Sequence, residues 1–398
     1  MTGMLAERLR ELGRPNVAWF ALAAGGALMA IGVTAMDTVA PELARMQTQR
    51  WLPIALTAMF VCMLPEPRTI RSATYPAAVV LLALLVFLIL PFVPRSIVPV
   101  IDGARRWIDL GVMNFQPSEL AKIVFVLAVA RYLRYRSNYR SFRGLIVPFA
   151  LMFVPIALLL KQPDLGIAML LVPTLFVMLL AAGAKLRHLG TLAAIGALVA
   201  AFNVPAVAFE LPSSMHMMRP HQTARIAAML NPERHRDHAG YQQMVSKRIV
   251  GAGGVQGLGE ERARTILKFN HLPENHNDMI FAVVVNRWGL IGAMTVLGLF
   301  VILVGSCVLV ASRTREPFAR LVCVGLAGQL FAQATINIAV TIGLMPITGM
   351  NLPLVSYGGS SLVATFSAMG LVVNFASRPP AFVSRPSFEF DSADAAVT

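Results

Sequence analysis

Apolar residues along this chain fall in long unbroken runs rather than in alternation. Ten runs occupy 16–36, 51–64, 75–93, 117–133, 144–160, 166–183, 189–209, 279–311, 317–345 and 355–376. A stretch of roughly 20 apolar residues is the length a helix needs to cross a bilayer. The pattern therefore predicts an all-α polytopic membrane protein of about ten transmembrane helices, the long eighth and ninth including interfacial turns. Pro117 suits the first turn of the fourth span, where its missing N–H costs nothing. Gln162-Pro163-Asp164-Leu165-Gly166 reads as a tight turn, with Asp164 capping the span that follows.

The polar connections orient these spans. Lys and Arg crowd every second one: Arg68 and Arg71, then Arg131 through Arg143, then Lys185 and Arg187, then Arg313, Arg315 and Arg320. Arg8, Arg10 and Arg14 precede the first span. Basic loops stay on the cytoplasmic side, so both termini are expected there. Arg95, Arg105 and Arg106 break the rule, in a loop assigned to the outside. One large extracytoplasmic loop, roughly 210–278, separates the seventh and eighth spans. Six of the seven histidines lie in it. Within it, Tyr241 to Ile249 has helical spacing and is expected to lie on the membrane surface. Gly251, Gly253, Gly254, Gly257 and Gly259 are expected to form a flexible turn. Residues 1–378 read as a single transmembrane domain, and 379–398 as a disordered cytoplasmic tail.

Composition sharpens this picture. The chain is 57% hydrophobic and 14% charged over 398 residues, which excludes an ordinary soluble domain. Its formal net charge of +14 sits mostly in short loops, which points to membrane lipids and anionic lipid-linked substrates and away from nucleic acid. Cys62, Cys307 and Cys323 are too scattered for a disulfide framework or a thiolate metal site. His235 and His238 lack a third ligand at a zinc-like spacing.

The sharpest candidate for chemistry is the segment His271 to Asp278, which ends where the apolar run Met279 to Val285 begins. A carboxylate at that boundary is costly unless paired, solvated or used; Asp278 also suits a helix N-cap. Glu119 and Lys122, three apart on one helical face, read as a scaffolding ion pair or as the lining of a groove. Gln329, Gln333, Asn337 and Thr341 recur every four residues. They serve either hydrogen bonding between helices or a substrate cavity. Asn351 to Ser361, with Pro353, Gly358 and Gly359, is a binding-site wall or a tight turn.

Five stretches together resemble the SEDS family (shape, elongation, division and sporulation) of RodA/FtsW type. They are Gly-Ala-Arg-Arg-Trp-Ile-Asp-Leu-Gly from Gly103, Phe-Gln-Pro-Ser-Glu-Leu-Ala-Lys from Phe115, Gln-Pro-Asp-Leu-Gly from Gln162, Leu-Pro-Glu-x-x-x-Asp-x-Ile-Phe-Ala-Val from Leu272, and Pro-Leu-Val-Ser-Tyr-Gly-Gly-Ser-Ser from Pro353. Gly-Ala-Arg-Arg-Trp leans toward the RodA branch and Met345-Pro346-Ile347-Thr348-Gly349 toward FtsW. Asn286-Arg287 departs from the family pattern, which carries acid there.

The resemblance implies a peptidoglycan glycosyltransferase in the bacterial cytoplasmic membrane. It would polymerise lipid II, a polyprenyl-pyrophosphate-linked glycan, at the outer face, with a class B penicillin-binding protein as partner. Asp278 matches the family's essential aspartate and is the expected general base and metal ligand. Glu119 and Lys122 match its charged fourth-helix residues. Arg225, Lys247, Arg248, Arg264 and Lys122, with Mg²⁺ or Mn²⁺, are the expected stabilisers of the leaving pyrophosphate. Arg106, Asp164, Glu274, His276 and Ser356 complete the expected substrate site. Two other classes fit the same spans: a flippase for lipid-linked precursor, and a non-catalytic scaffold of the cell-wall machinery.

Overall fold

The structure is a computed structural model that describes residues 11–12, 16–101, 103–111, 114–136, 138–208, 220–234 and 239–378. His235, His238 and the tail from residue 379 lie outside these residues. In chain order the helices are α1 (Ala18–Val39), α2 (Pro41–Met46), α3 (Leu52–Met63), α4 (Pro67–Ile89), α5 (Pro117–Leu133), α6 (Ile146–Lys161), α7 (Leu165–Ala182), α8 (Leu186–Ala208), α9 (Pro220–Leu230), α10 (Ala239–Gly253), α11 (Gly259–Asn270), α12 (Ile280–Arg313), α13 (Pro317–Thr341) and α14 (Gly359–Ala376). A π-helical segment, Gln47–Trp51, joins α2 to α3. A two-stranded antiparallel sheet, β1 (Ile108–Asp109) and β2 (Asn114–Phe115), pairs Ile108 with Phe115.

Among the described residues, seven helices are long and apolar enough to cross a bilayer: α1, α4, α6 taken with the 3-10 turn that leads into it (Arg143–Lys161), α7, α12, α13 and α14. Of the other three expected spans, two coincide with α3 and α5, which fall short in length, and the third coincides with α8 (Leu186–Ala208). α5 carries Glu119 and Lys122 in its first turns, and α3 has only 12 residues before the chain turns back.

Burial sorts the helices into shells. The most apolar windows of α13 and α14 are 78% and 89% buried, whereas that of α4 is only 22% buried. α13 and α14 therefore form the interior. α4 presents Tyr75, Val79, Val80 and Val86 outward, as a lipid-facing helix does. The most extensive pairings are α14 with α3, α12 with α1, and α12 with α13.

Two expectations about the outer loop change. α10 forms where helical spacing predicts, but it packs on α12 and α13 rather than lying on the surface. Gln242, Gln243 and Ser246 are buried on its inner face. The glycine-rich turn after it is anchored rather than flexible. α12 breaks at Gly289 (φ 65°, ψ −157°), which frees backbone groups. Leu290 N and Ile291 N then donate to Gly254 O (2.9 Å) and Val255 O (3.3 Å), and Leu258 N donates to Asn286 O (2.9 Å). The two backbones approach so closely that a Cβ on Gly257 would lie 2.3 Å from Arg287 O.

Candidate active site

The site is built where three loops meet at one mouth of the bundle. Residues 271–279 lead into α12. The 342–358 segment joins α13 to α14. The turn at Gln162–Asp164 joins α6 to α7. Asn337 of α13 ties the first two together: its Nδ2 donates to Asp278 O (2.8 Å) and to Met350 O (2.6 Å). One turn earlier, Gln333 donates to Asn351 O (2.9 Å). The polar stripe on α13 thus holds the loop that roofs the bundle. Gln329 instead lines a small void beside Lys122, where its Oε1 is buried without a partner.

Ser356 has its hydrogen bonds taken up by scaffolding. Its Oγ donates to Asn277 O (2.6 Å) and accepts from Leu352 N (2.7 Å). Gln47, in the π-helical segment, donates to Ser356 O (3.2 Å). π turns often mark functional sites; here the segment carries the fully buried Gln47. Tyr357 N donates to His276 O (2.8 Å), and the His276 ring meets Tyr357 edge-on at 6.1 Å. Glu274 and Leu354 adopt positive φ (50° and 66°), conformations that L residues hold only when packing enforces them.

Asp278 lies at the centre of this mouth and is 4% exposed. It is not the N-cap: Met279 takes that position, and no side chain caps α12. The Asp278 carboxylate accepts from Gln242 Nε2 (3.3 Å) on α10. Burial pushes its pKa up to about 7 and the nearby Glu274 charge adds to the rise; its own backbone N–H, Arg225 and Gln242 oppose it. A group balanced there can hold or release a proton at neutral pH, which a general base requires.

A line of charges runs from Asp278 across the mouth. Arg225, on α9, donates to Ile347 O (3.0 Å). Burial and Arg106 lower its pKa, and Asp278 opposes the fall, so the three groups share one electrostatic neighbourhood. Arg106 donates to Gln162 O (2.9 Å) and Pro163 O (2.5 Å). Arg105 likewise donates to Leu90 O and Val93 O. These carbonyls explain why arginines sit in a loop that charge patterning alone would keep basic-free. Asp164 caps α7 through Ile167 N (3.3 Å), as expected, and also accepts from Ser118 Oγ (2.9 Å) and Gln116 Nε2 (3.3 Å). Burial raises its pKa, with Arg106 the main opposing influence. Glu119 and Lys122 form a buried ion pair at 2.6 Å, and Lys122 donates on to Gln333 Oε1 (3.2 Å).

Of the other expected cations, Lys247 lays its stem over Gly343, at the start of the 342–358 roof. Arg248 points to the exposed side of α10, away from the inward face of Gln242, Gln243 and Ser246. Arg264 pairs with Glu260 (3.2 Å) and reaches Asp37 O (3.5 Å), beside α1. The Asn286-Arg287 departure also finds a structural use. Arg287 binds Glu260 (2.7 Å), Thr34 O and Thr38 Oγ1, while Asn286 donates to Ile249 O (2.9 Å). Among the described residues no group of three His, Cys, Asp or Glu side chains gathers around a common point for a metal ion.

Such a fold and mouth define an integral membrane protein that holds an ionisable acid and two arginines at one end of a helical bundle. Comparison with known proteins gives that class a name. The chain belongs to the FtsW/RodA/SpoVE family of cell cycle proteins, the SEDS proteins, whose model matches residues 16–379. It is 36% identical to the peptidoglycan glycosyltransferase MrdB of Escherichia coli K12, over 68% of this chain and 70% of that protein. It is 37% identical to a probable peptidoglycan glycosyltransferase FtsW of Geobacter sulfurreducens, over 80% and 82%. Among solved structures it is similar to a chain from a study of polymerization and crosslinking by a peptidoglycan synthase complex. That match has a TM-score of 0.73 at 31% identity, covering 89% of this chain and 96% of the other. The RodA of Thermus thermophilus gives a TM-score of 0.63 at 28% identity, covering 89% and 95%.

Proposed function

We propose that this protein is a peptidoglycan glycosyltransferase that polymerises lipid II at the outer face of the bacterial cytoplasmic membrane, with both termini cytoplasmic. The observation that carries the reading is Asp278, a buried carboxylate poised near neutrality at the bundle mouth. The relatives' names supply the reaction; the site supplies a way to perform it. A sugar hydroxyl is a poor nucleophile until a base takes its proton. Asp278, in its ionised form, accepts that proton as the glycosidic bond forms, a contribution of typically 10²–10⁴-fold. The leaving pyrophosphate gathers negative charge, which Arg225 and Arg106 face from the same mouth. Glu119 and Lys122 act behind them, bracing Gln333 and the 342–358 roof.

Mg²⁺ commonly binds through one or two carboxylates plus substrate phosphates rather than in an all-protein cage. The donor set fits that mode: Asp278 would hold the ion, which would neutralise pyrophosphate charge. With Asp278 4% exposed, this is a closed state. A sugar reaches the carboxylate only after α9, α10 or the 342–358 roof shifts. The likeness to a peptidoglycan synthase complex supports assembly with a crosslinking partner, which we assign to a class B penicillin-binding protein.

The test is polymerisation of purified lipid II in liposomes, supplied to the outer leaflet only. Wild type should give glycan polymer and Asp278→Asn, folded and inserted, should give none. Polymer from the variant at the wild-type rate would remove Asp278 from the chemistry. Lipid transport without polymer would return the protein to the flippase class.

A further inference from the structure

A second site lies at the other end of the bundle. α12 begins beside Asp278 and, beyond its break at Gly289, runs on to Arg313; at ~1.5 Å per residue that second part alone spans roughly 36 Å. There, a cavity of about 1300 Å³ opens between the ends of α4, α5, α12, α13 and α14. Arg68, Arg71, Arg134, Arg313, Arg315 and Arg378 line it, against the carboxylates of Glu11, Glu66 and Glu316.

Among the described residues that line the cavity, arginines outnumber carboxylates six to three. Glu316 is shared by Arg71 (3.2 Å) and Arg134 (3.7 Å). Arg378 donates to Leu64 O, Pro65 O and Asn374 Oδ1. Among the described residues no carboxylate pairs with Arg68, Arg313 or Arg315. Arg134 Nε is buried with no acceptor. α4 and α13 also begin at this cavity, at Pro67 and Pro317, and no side chain caps either N-terminus. Guanidinium forks and uncapped helix starts ask for the same thing, a compact anion with several acceptor oxygens. Bilayer lipid is the nearest source, because basic pockets at helix ends on a membrane face take phosphate headgroups.

We propose that this cavity is a binding site for the phosphate headgroup of an anionic lipid, in the leaflet opposite Asp278. The proposal does not rest on the polymerase assignment, since its test reads binding alone.

The full chain is purified in phosphatidylcholine nanodiscs. Phosphatidylglycerol, or inorganic pyrophosphate in a second arm, is then titrated while the melting midpoint is followed. Phosphatidylglycerol should raise the midpoint of wild type. In Arg313→Gln/Arg315→Gln its apparent affinity should fall about tenfold or more. Lys185→Gln/Arg187→Gln, on an exposed turn at the same end, should respond as wild type. An equal loss in that control would reduce the effect to diffuse surface charge and overturn the site. An unchanged response in Arg313→Gln/Arg315→Gln would do the same. A rise with pyrophosphate but none with phosphatidylglycerol would overturn the lipid source. Should the double variant fail to fold, Arg68→Gln is titrated instead under the same criteria.

Discussion

Asp278 shows how one side chain becomes legible in sequence and is still misread in detail. An acid set directly against an apolar run is conspicuous, because only a specific environment tolerates it. The same position suits a helix cap, and only the coordinates show that Met279 takes that place. Its titration gives a pH prediction with two opposite controls. As a base, Asp278 works ionised, so the polymerisation rate should rise with pH and reach half its plateau near pH 7. Glu274→Gln removes a neighbouring charge that favours the proton and should move that midpoint down. Gln242→Leu removes a donor to the ionised form and should move it up. Stability runs the other way. The folded state keeps a proton that the unfolded chain has already lost at ordinary carboxylate pH, so wild type loses stability as pH rises through 7. Asp278→Asn should therefore gain in melting midpoint relative to wild type between pH 5 and pH 8. A pH-independent difference would contradict the raised pKa.

At the scale of elements, the outer-loop turn carries the main lesson. Five glycines in nine residues read as freedom, and the sequence expectation was a flexible turn. The structure uses them for closeness instead. Gly257 sits at φ 80° against Arg287 O, and Gly289 at φ 65° against Val255 O, so two backbones exchange hydrogen bonds with no side chain between them. Gly257→Ala should cost about 1–3 kcal/mol through strain and clash, seen as a lower melting midpoint. Gly251→Ala, on α10 with open space around its Cβ, should leave the midpoint unchanged or slightly raised. The nearby Asn286-Arg287 pair belongs to the same device. Arg287 fastens α11 to α1 through Glu260, Thr34 and Thr38, so an exchange of acid for base there reads as a fastening rather than a lost activity.

The whole molecule has two charged ends around an apolar interior. At one, Asp278 is covered by α10 and the 342–358 roof. Gln243 of α10 donates to Met345 O (3.2 Å), one of the few ties between cover and roof. If substrate admission needs these parts to separate, a thiol-to-thiol crosslink in Gln243→Cys/Met345→Cys should lower turnover severalfold and reduction should restore it. Full activity in the crosslinked protein would place the entry route elsewhere. The native Cys307 and Cys323 are buried and stay out of that reaction.

Unbroken apolar runs alone located the membrane-crossing helices, because such a segment must be apolar over its full length wherever its neighbours lie; α9 and α11 of the outer loop have no such run and were not located. It also exposed Asp278, Asp164 and the Glu119–Lys122 pair, since charge stands out against such runs. The partners of those groups were decided only in three dimensions. Gln47 meets Ser356 from 309 residues away, Lys122 meets Gln333 from 211, and Arg225 meets Ile347 from 122. A buried amide has no local signature, because its hydrogen bonds depend on which distant carbonyl the packing brings within reach. Whether a charged residue becomes scaffold, site or surface is fixed by that packing and by no property of its own stretch of chain.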